Sequence, residues 1–221
     1  MTSITFKFAA SAPKTKTPSF LVLAVQADEA KPKLLGDSAK AALFKNLDLS
    51  ALNLSGAAES TARTITSRGV VGFIGTGKGI ANSSDARDIG GAIGRAFKDQ
   101  KSITVDIPLA TAEELTAFIE GISFVRYEFT KYKSAVTKPI QLTEVTVITQ
   151  FKVSGIELKR IKILTEALDA TRDLVNTAPN DLFPAKLAEI VAAQAQLPNL
   201  KVEIWEEKRL AKEKCHGILA V

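Results

Sequence analysis

Three short stretches of this sequence carry residue types that could do chemistry. The first is "GFIGTGKG", Gly72–Gly79. It approaches the phosphate-binding pattern G-x-x-x-x-G-K-[ST], in which backbone N–H groups cradle phosphates and a final hydroxyl holds magnesium. Lys78 is in place, but Gly79 stands where the hydroxyl is needed. Asn82, Ser83 and Ser84 then intervene before the next helical pattern, so that helix would not present its N-terminus to a phosphate. The stretch reads as a tight strand-to-helix turn whose glycines supply positive φ. The second stretch, "RYEFTKYK" (Arg126–Lys133), interleaves cations with aromatics. That combination suits nucleic acid, with rings for stacking and Lys/Arg for phosphates. It also suits the end of an amphipathic helix with Tyr127, Phe129 and Tyr132 packed, and the weak charge excess of the chain favours this second reading. The third is Cys215-His216. Read in a strand, these two side chains point to opposite faces and cannot readily share one metal. No Ser/His/Asp set accompanies them.

Bulk properties narrow the classes further. The 221 residues are 46% hydrophobic and 24% charged, an ordinary globular balance. One Cys excludes an internal disulfide, and one Cys with one His excludes a Cys/His zinc site. The net charge of +5 is mild and interspersed, so DNA binding is expected to be weak at most. The N-terminus has no apolar run resembling a signal peptide, and the longest apolar run, Phe20–Val25, is too short to span a bilayer. The expectation is a cytoplasmic protein with no membrane partner.

The elements that would position such residues follow from periodicity. Strands are predicted at Ile4–Phe8, Phe20–Val25, Ala62–Ser67, Val70–Gly75, Ser102–Leu109 and Thr143–Thr149, and "APKTKTP" reads as a loop. Helices are predicted over Asp37–Ser50 and Ser84–Asp99, and from Thr111, where Thr111 and Glu114 make a capping-box pattern. Gly90, Gly91 and Gly94 inside the second of these helices suggest its close approach to the sheet. Strands alternating with helices imply an α/β layer fold with a largely parallel sheet. A second capping box, Ser154 with Glu157, opens a long amphipathic helix to about Asn176. Its stripe is Leu158, Ile161, Leu164, Leu168 and Val175, and it suits a connector between two domains. A helix after Pro184 and strands near Val202–Trp205 and Gly217–Val221 complete the reading. These last strands would lack most of their neighbours, so the segment is expected to be marginally stable.

The connector ends in "TRDLVNTAPNDLFPAKLAE". This resembles the interdomain junction of the leucyl aminopeptidase (cytosol aminopeptidase) family, A-R-D-L-V-N-T-P-P-N followed by a T-P-x-x-L-A-E helix start. Arg172, Asp173, Leu174, Val175, Asn176, Thr177, Pro179 and Asn180 match as they stand. Ala178 replaces the first family proline, and Phe183 stands where a threonine usually caps the next helix. "VVGFIGTGKG", "ITVDIPL", "YEFTKYKS" and "VEIWEEKRLAKEKCHGILAV" resemble further family landmarks in the same order.

The resemblance implies a macro-domain-like N-terminal α/β domain over residues 1–152, with a mixed, largely parallel sheet flanked by helices. It implies a connecting helix at 153–176 and the truncated start of an α/β peptidase domain at 177–221. It further implies that the intact enzyme removes N-terminal amino acids from peptides, uses two divalent metal ions (zinc or manganese) and forms a homo-hexamer. The family's metal ligands, some in N-T-D-A-E-G-R, fall beyond the segment matching this chain. No catalytic, cofactor-binding or metal residue is therefore assigned to it, and no bound metal is expected. The alternative is a stand-alone macro-like binding module for DNA or a nucleotide-type ligand.

Overall fold

The computed structural model describes residues 4–11, 20–29, 31–38, 44, 47–67, 69–134, 141–194 and 201–220. Among the described residues seven strands form one mixed sheet: β1 (Thr5–Ala9), β2 (Leu21–Gln26), β3 (Lys33–Leu35), β4 (Thr61–Thr66), β5 (Gly69–Gly75), β6 (Ser102–Asp106) and β7 (Glu144–Ile148). The order is β1-β7-β6-β2-β5-β4. The pairs β1/β7, β7/β6, β6/β2 and β2/β5 are parallel, whereas β4 runs antiparallel to β5 and β3 antiparallel to the end of β2. The expected α/β class and largely parallel sheet are thus present. The predicted loop at "APKTKTP" lies outside the described residues, as does half of the predicted helix at Asp37–Ser50. Its far end is a turn in which Asp48 Oδ1 accepts from Ser50 N and Ala51 N.

β2 explains why a continuous apolar run was needed. Val22 and Ala24 join the core on one face; Leu21, Leu23 and Val25 join the core on the other. Helices α1 (Ser83–Ala96) and α2 (Ala112–Phe124), with the start of α3 (Gly155–Asn176), cover the first face. Phe44, Leu49 and Leu54 cover the second.

The glycines of α1 do not serve contact with the sheet, contrary to expectation; they serve contact with α2. A β-carbon on Gly90 would lie 2.2 Å from the Phe118 carbonyl oxygen, and one on Gly94 would lie 2.5 Å from a Val125 methyl. On the opposing helix, a β-carbon at Gly121 would lie 2.0 Å from the Arg87 carbonyl oxygen and 2.9 Å from Gly91 N. The two backbones touch, which only glycine on both sides permits.

A second close fit sits at the far end of α1. Gly72 leaves space for the rings of Phe20 and Phe97, whose centroids are 5.2 Å apart. Arg63 of edge strand β4 lies over both rings, at 5.5 and 5.1 Å, and donates to both carboxylate oxygens of Asp99 at 2.6 and 2.7 Å. It also donates to the carbonyl of Ala96, the last residue of α1. One side chain thus ties the sheet edge to the helix end.

Residues Met1–Ala170 and Thr171–Val221 form two compact units. The second holds α4 (Pro184–Gln194), α5 (Glu207–Lys212) and α6 (His216–Leu219). Pro184 opens α4 as expected, with the Phe183 carbonyl accepting from Leu187 N. The strands expected near Val202–Trp205 and Gly217–Val221 are absent from the described residues. The first stretch is irregular and the second is largely helical. Their alternation is that of a strand, but strand pairing requires a neighbouring edge. Instead Glu203 accepts from Trp205 Nε1, and Arg209 lies 4.6 Å over the indole. No described residue from Thr171 onward is buried.

Two outcomes follow from these fits. Gly121→Ala should destabilise the first unit by about 2 kcal/mol or more, because its methyl meets backbone that cannot yield. Gly91→Ala should stay within ~1 kcal/mol of wild type, since its new contact is the flexible end of Arg95 at 3.3 Å and the helix gains propensity. Urea unfolding of both variants checks the contrast. Separately, the guanidinium of Arg63 lowers the Asp99 pKa from 3.8 to about 2. A depressed carboxylate pKa stabilises the fold above the unfolded-state value, and that contribution disappears as pH falls from about 4 through about 2. Arg63→Gln should return Asp99 towards an ordinary aspartate titration by NMR and remove this part of the acid-side loss of stability.

Candidate functional site: the glycine turn and the base of the connecting helix

β2 and β6 are parallel neighbours, but the chain goes on from β2 towards β5 and from β6 towards β7, so the connections that follow them run in opposite directions along the sheet. In parallel α/β sheets the crevice at the strands' carboxyl ends, at such a reversal, is the usual ligand position. Here the chain occupies it. Gly36, with φ of 102°, brings its backbone against Asp106, and a β-carbon there would lie 2.6 Å from the carboxylate. The buried Asp106 carboxylate accepts from Ser38 N at 2.6 Å.

The glycine turn is likewise committed internally. Gly75 N donates to Ser60 O, Thr76 N to Val25 O, Gly77 N to Gly56 O and Gly79 N to Thr76 O. The Lys78 carbonyl accepts from Gln26 Nε2 at 2.7 Å. Four N–H groups that a phosphate would need are thus already bonded to carbonyls. Gly77 and Gly79 have φ of 61° and 127°, the positive values expected of a tight turn. The N-terminus of α1 is closed as well. Asn82 accepts from Ser84 N and Asp85 N, and Asp85 accepts from Ala81 N. Asn82, read as an intervening residue, is the helix cap itself.

The stretch Arg126–Lys133 is not the end of α2, which stops at Phe124; it is irregular. The cause is local pairing. Phe129 and Tyr132 meet edge-on at 5.6 Å, Lys131 lies 5.3 Å over the Tyr132 ring, and Glu128 accepts from Lys98 at 2.8 Å. Burial lowers the Arg126 pKa, opposed by the charge of Asp169. The rings of Phe129 and Tyr132 and the cations Arg126 and Lys131 are thus already engaged with other groups of the chain. Cys215 and His216 lie at the start of α6 rather than in a strand, so the argument from opposite faces does not apply there. Among the described residues no group of three or more His, Cys, Asp or Glu could hold a metal ion.

The arrangement that the sequence did not signal lies at the base of α3. Glu120 of α2, one residue before the glycine at the helix crossing, has a side chain only 9% exposed. Its Oε2 accepts from Arg87 of α1 at 2.9 and 3.2 Å, and its Oε1 accepts from Arg160 of α3 at 2.6 Å. Arg160 also donates to Glu157 at 2.7 Å, and Glu157, then Glu120, raise its pKa. Ser154 caps the helix by accepting from Glu157 N. A cleft of about 420 Å³ adjoins this network. Its cations, Arg87, Lys152 and Arg160, are balanced by Glu113, Glu120 and Glu157, so it offers no net attraction to an anion. What the arrangement does is position a helix. A capping pattern revealed the start of α3, but no spacing rule connects Arg87, Glu120 and Arg160, which come from three elements.

At its other end α3 stops within the motif that suggested a junction. Thr177 N and Oγ1 both donate to the Asp173 carbonyl, closing the last turn. The Ala178 carbonyl then accepts from Asp181 N and Leu182 N, turning the chain into Pro184.

Comparison with known proteins follows the same order along the chain. Residues 27–135 match the family model "Cytosol aminopeptidase family, N-terminal domain", and residues 169–221 match "Cytosol aminopeptidase family, catalytic domain". The probable cytosol aminopeptidase of Leifsonia xyli subsp. xyli is 30% identical over 227 aligned residues, covering 100% of this chain and 45% of that protein. The probable cytosol aminopeptidase of Micrococcus luteus is 31% identical, covering 93% of this chain and 44% of that protein. The chain thus spans about half the length of the curated relatives it matches. Among solved structures, a mutant of tomato leucine aminopeptidase superposes with a TM-score of 0.76 at 19% identity, covering 96% of this chain and 46% of that one. A bottromycin maturation enzyme in complex with Mn gives 0.62 at 21% identity, covering 88% and 40%. These two likenesses concern the fold. With two models of one family matched in order, and relatives aligned across most of its length, the chain belongs to the cytosol aminopeptidase family.

Proposed function

We propose that this chain is the N-terminal portion of a metal-dependent leucyl aminopeptidase that removes N-terminal amino acids from peptides. The observation that carries the reading is the order of the two family matches on one chain, 27–135 and then 169–221, joined through α3. In this reading residues 1–152 are the N-terminal domain, 153–176 the connecting helix and 177–221 the opening of the peptidase domain. The active site belongs to the remainder of the peptidase domain. Two divalent ions, zinc or manganese, would there activate water and polarise the scissile carbonyl. This chain's own contribution is structural: it presents the connecting helix from a packed α/β domain. Peptides are the proposed substrates, a homo-hexamer the proposed assembly and the cytoplasm the proposed compartment. No helix among the described residues is long and apolar enough to cross a membrane.

The stand-alone binding module has no observation in its favour. The glycine turn spends its donors internally, and the ends of β2 and β6 are covered by the chain.

The test is an activity comparison. Purified 1–221 should show no turnover of a leucyl chromogenic substrate above the blank with added zinc or manganese. A protein extended through an N-T-D-A-E-G-R segment should hydrolyse it and lose activity to a chelator. Turnover by repurified 1–221, or a chelator-insensitive extended protein, would contradict the proposal.

A further inference from the structure

The ion network at the base of α3 has an asymmetry that points to a conformational role. α3 is 22 residues long, yet only Ile161 is buried, with Leu158 packed beside it on the core. Little apolar area therefore holds the helix to the sheet and its two covering helices. Two polar ties add to this: Arg160 to Glu120, and the attraction between Asp169 and Arg126.

Glu120 cannot stand alone. A carboxylate that is nine-tenths buried needs a cation, because an unpaired buried charge is strongly destabilising. Two cations share it, and they belong to different mechanical parts. Arg87 comes from α1, which is fixed against α2 through Gly90, Gly94 and Gly121. Arg160 comes from α3. If Arg160 leaves, Arg87 still neutralises Glu120 through both Nε and Nη2, and the α1–α2 layer keeps its buried charge paired. If Arg87 leaves, Arg160 becomes the sole partner of Glu120, and its tie to the domain is not weakened.

We infer that Glu120 and Arg160 form a releasable clasp that fixes the base of the connecting helix on the N-terminal domain, with Arg87 as the residue that lets it open without stranding a buried charge. Glu120 and Arg160 are positioning residues. The inference is independent of the peptidase reading and concerns only contacts within residues 83–170.

Native-state hydrogen exchange on the 221-residue chain tests it, comparing wild type with Arg160→Gln and Arg87→Gln. The amides of Lys159–Thr165 should exchange roughly three- to tenfold faster in Arg160→Gln, close to the upper end for an exposed charge pair because Arg87 keeps Glu120 neutralised. Amides of β5 and α1 should not change in that variant. Arg87→Gln should leave Lys159–Thr165 as slow as in wild type. Raising sodium chloride should accelerate these amides in wild type and not in Arg160→Gln. The inference is overturned if Arg160→Gln leaves α3 unchanged, if both arginine variants accelerate it equally, or if Arg160→Gln accelerates α1 and β5 as much as α3. Both substituted residues have side chains more than 40% exposed, so the variants should fold.

Discussion

The contact of α1 with α2, backbone against backbone, is the constraint on which the first unit depends. Side chains normally hold helix axes 8–10 Å apart. Glycine at 90, 94 and 121 removes that spacer, and main-chain atoms of one helix meet those of the other. Each glycine costs about 1 kcal/mol of helix propensity relative to alanine, and that cost is offset by what the approach permits. Ile89, Ile93, Leu115, Phe118, Ile119 and Ile122 are all buried in one core over the sheet. Arg87 and Glu120, each close to the crossing, are brought within hydrogen-bond reach. The clasp on α3 is thus built on the same crossing.

Much of this fold was legible because strands and caps are local. Apolar runs and alternation located β1, β2, β5, β6 and β7 to within a few residues. Thr111 and Ser154 were found as caps because a cap needs only the next three residues. The glycines of α1 were recognised as a close approach but assigned to the wrong neighbour. A gap in side chains shows that something comes near, and not what. The segment from Lys201 onward failed for a related reason. Val202 and Ile204 alternate as a strand would, but are 38% and 54% exposed with no strand edge beside them among the described residues. Periodicity reports a face, and a face becomes a strand only when something pairs with it.

The candidate site divides in the same way. The glycine turn could be discounted from sequence because a missing hydroxyl at position 79 is a local fact, and the structure adds the reason that matters more: four of its N–H groups are already bonded to carbonyls. The clasp was invisible, since Arg87, Glu120 and Arg160 are distant in sequence and each looks like an ordinary surface charge. Family membership came from the junction stretch. There Thr177 closes α3 onto the Asp173 carbonyl and Pro184 starts α4, so these motif residues have a mechanical part in stopping one helix and starting the next.

The two units differ in kind: the first has a packed core, and none of the described residues of the second is buried. Residue-resolved hydrogen exchange of the unmodified chain measures this most directly. Amides of Val22–Val25 and Phe73–Ile74 should approach the protection set by global unfolding, and those of Leu187–Val191 and Arg209–Leu219 should exchange several orders of magnitude faster. Equal protection of both sets in a monomeric sample would contradict the account.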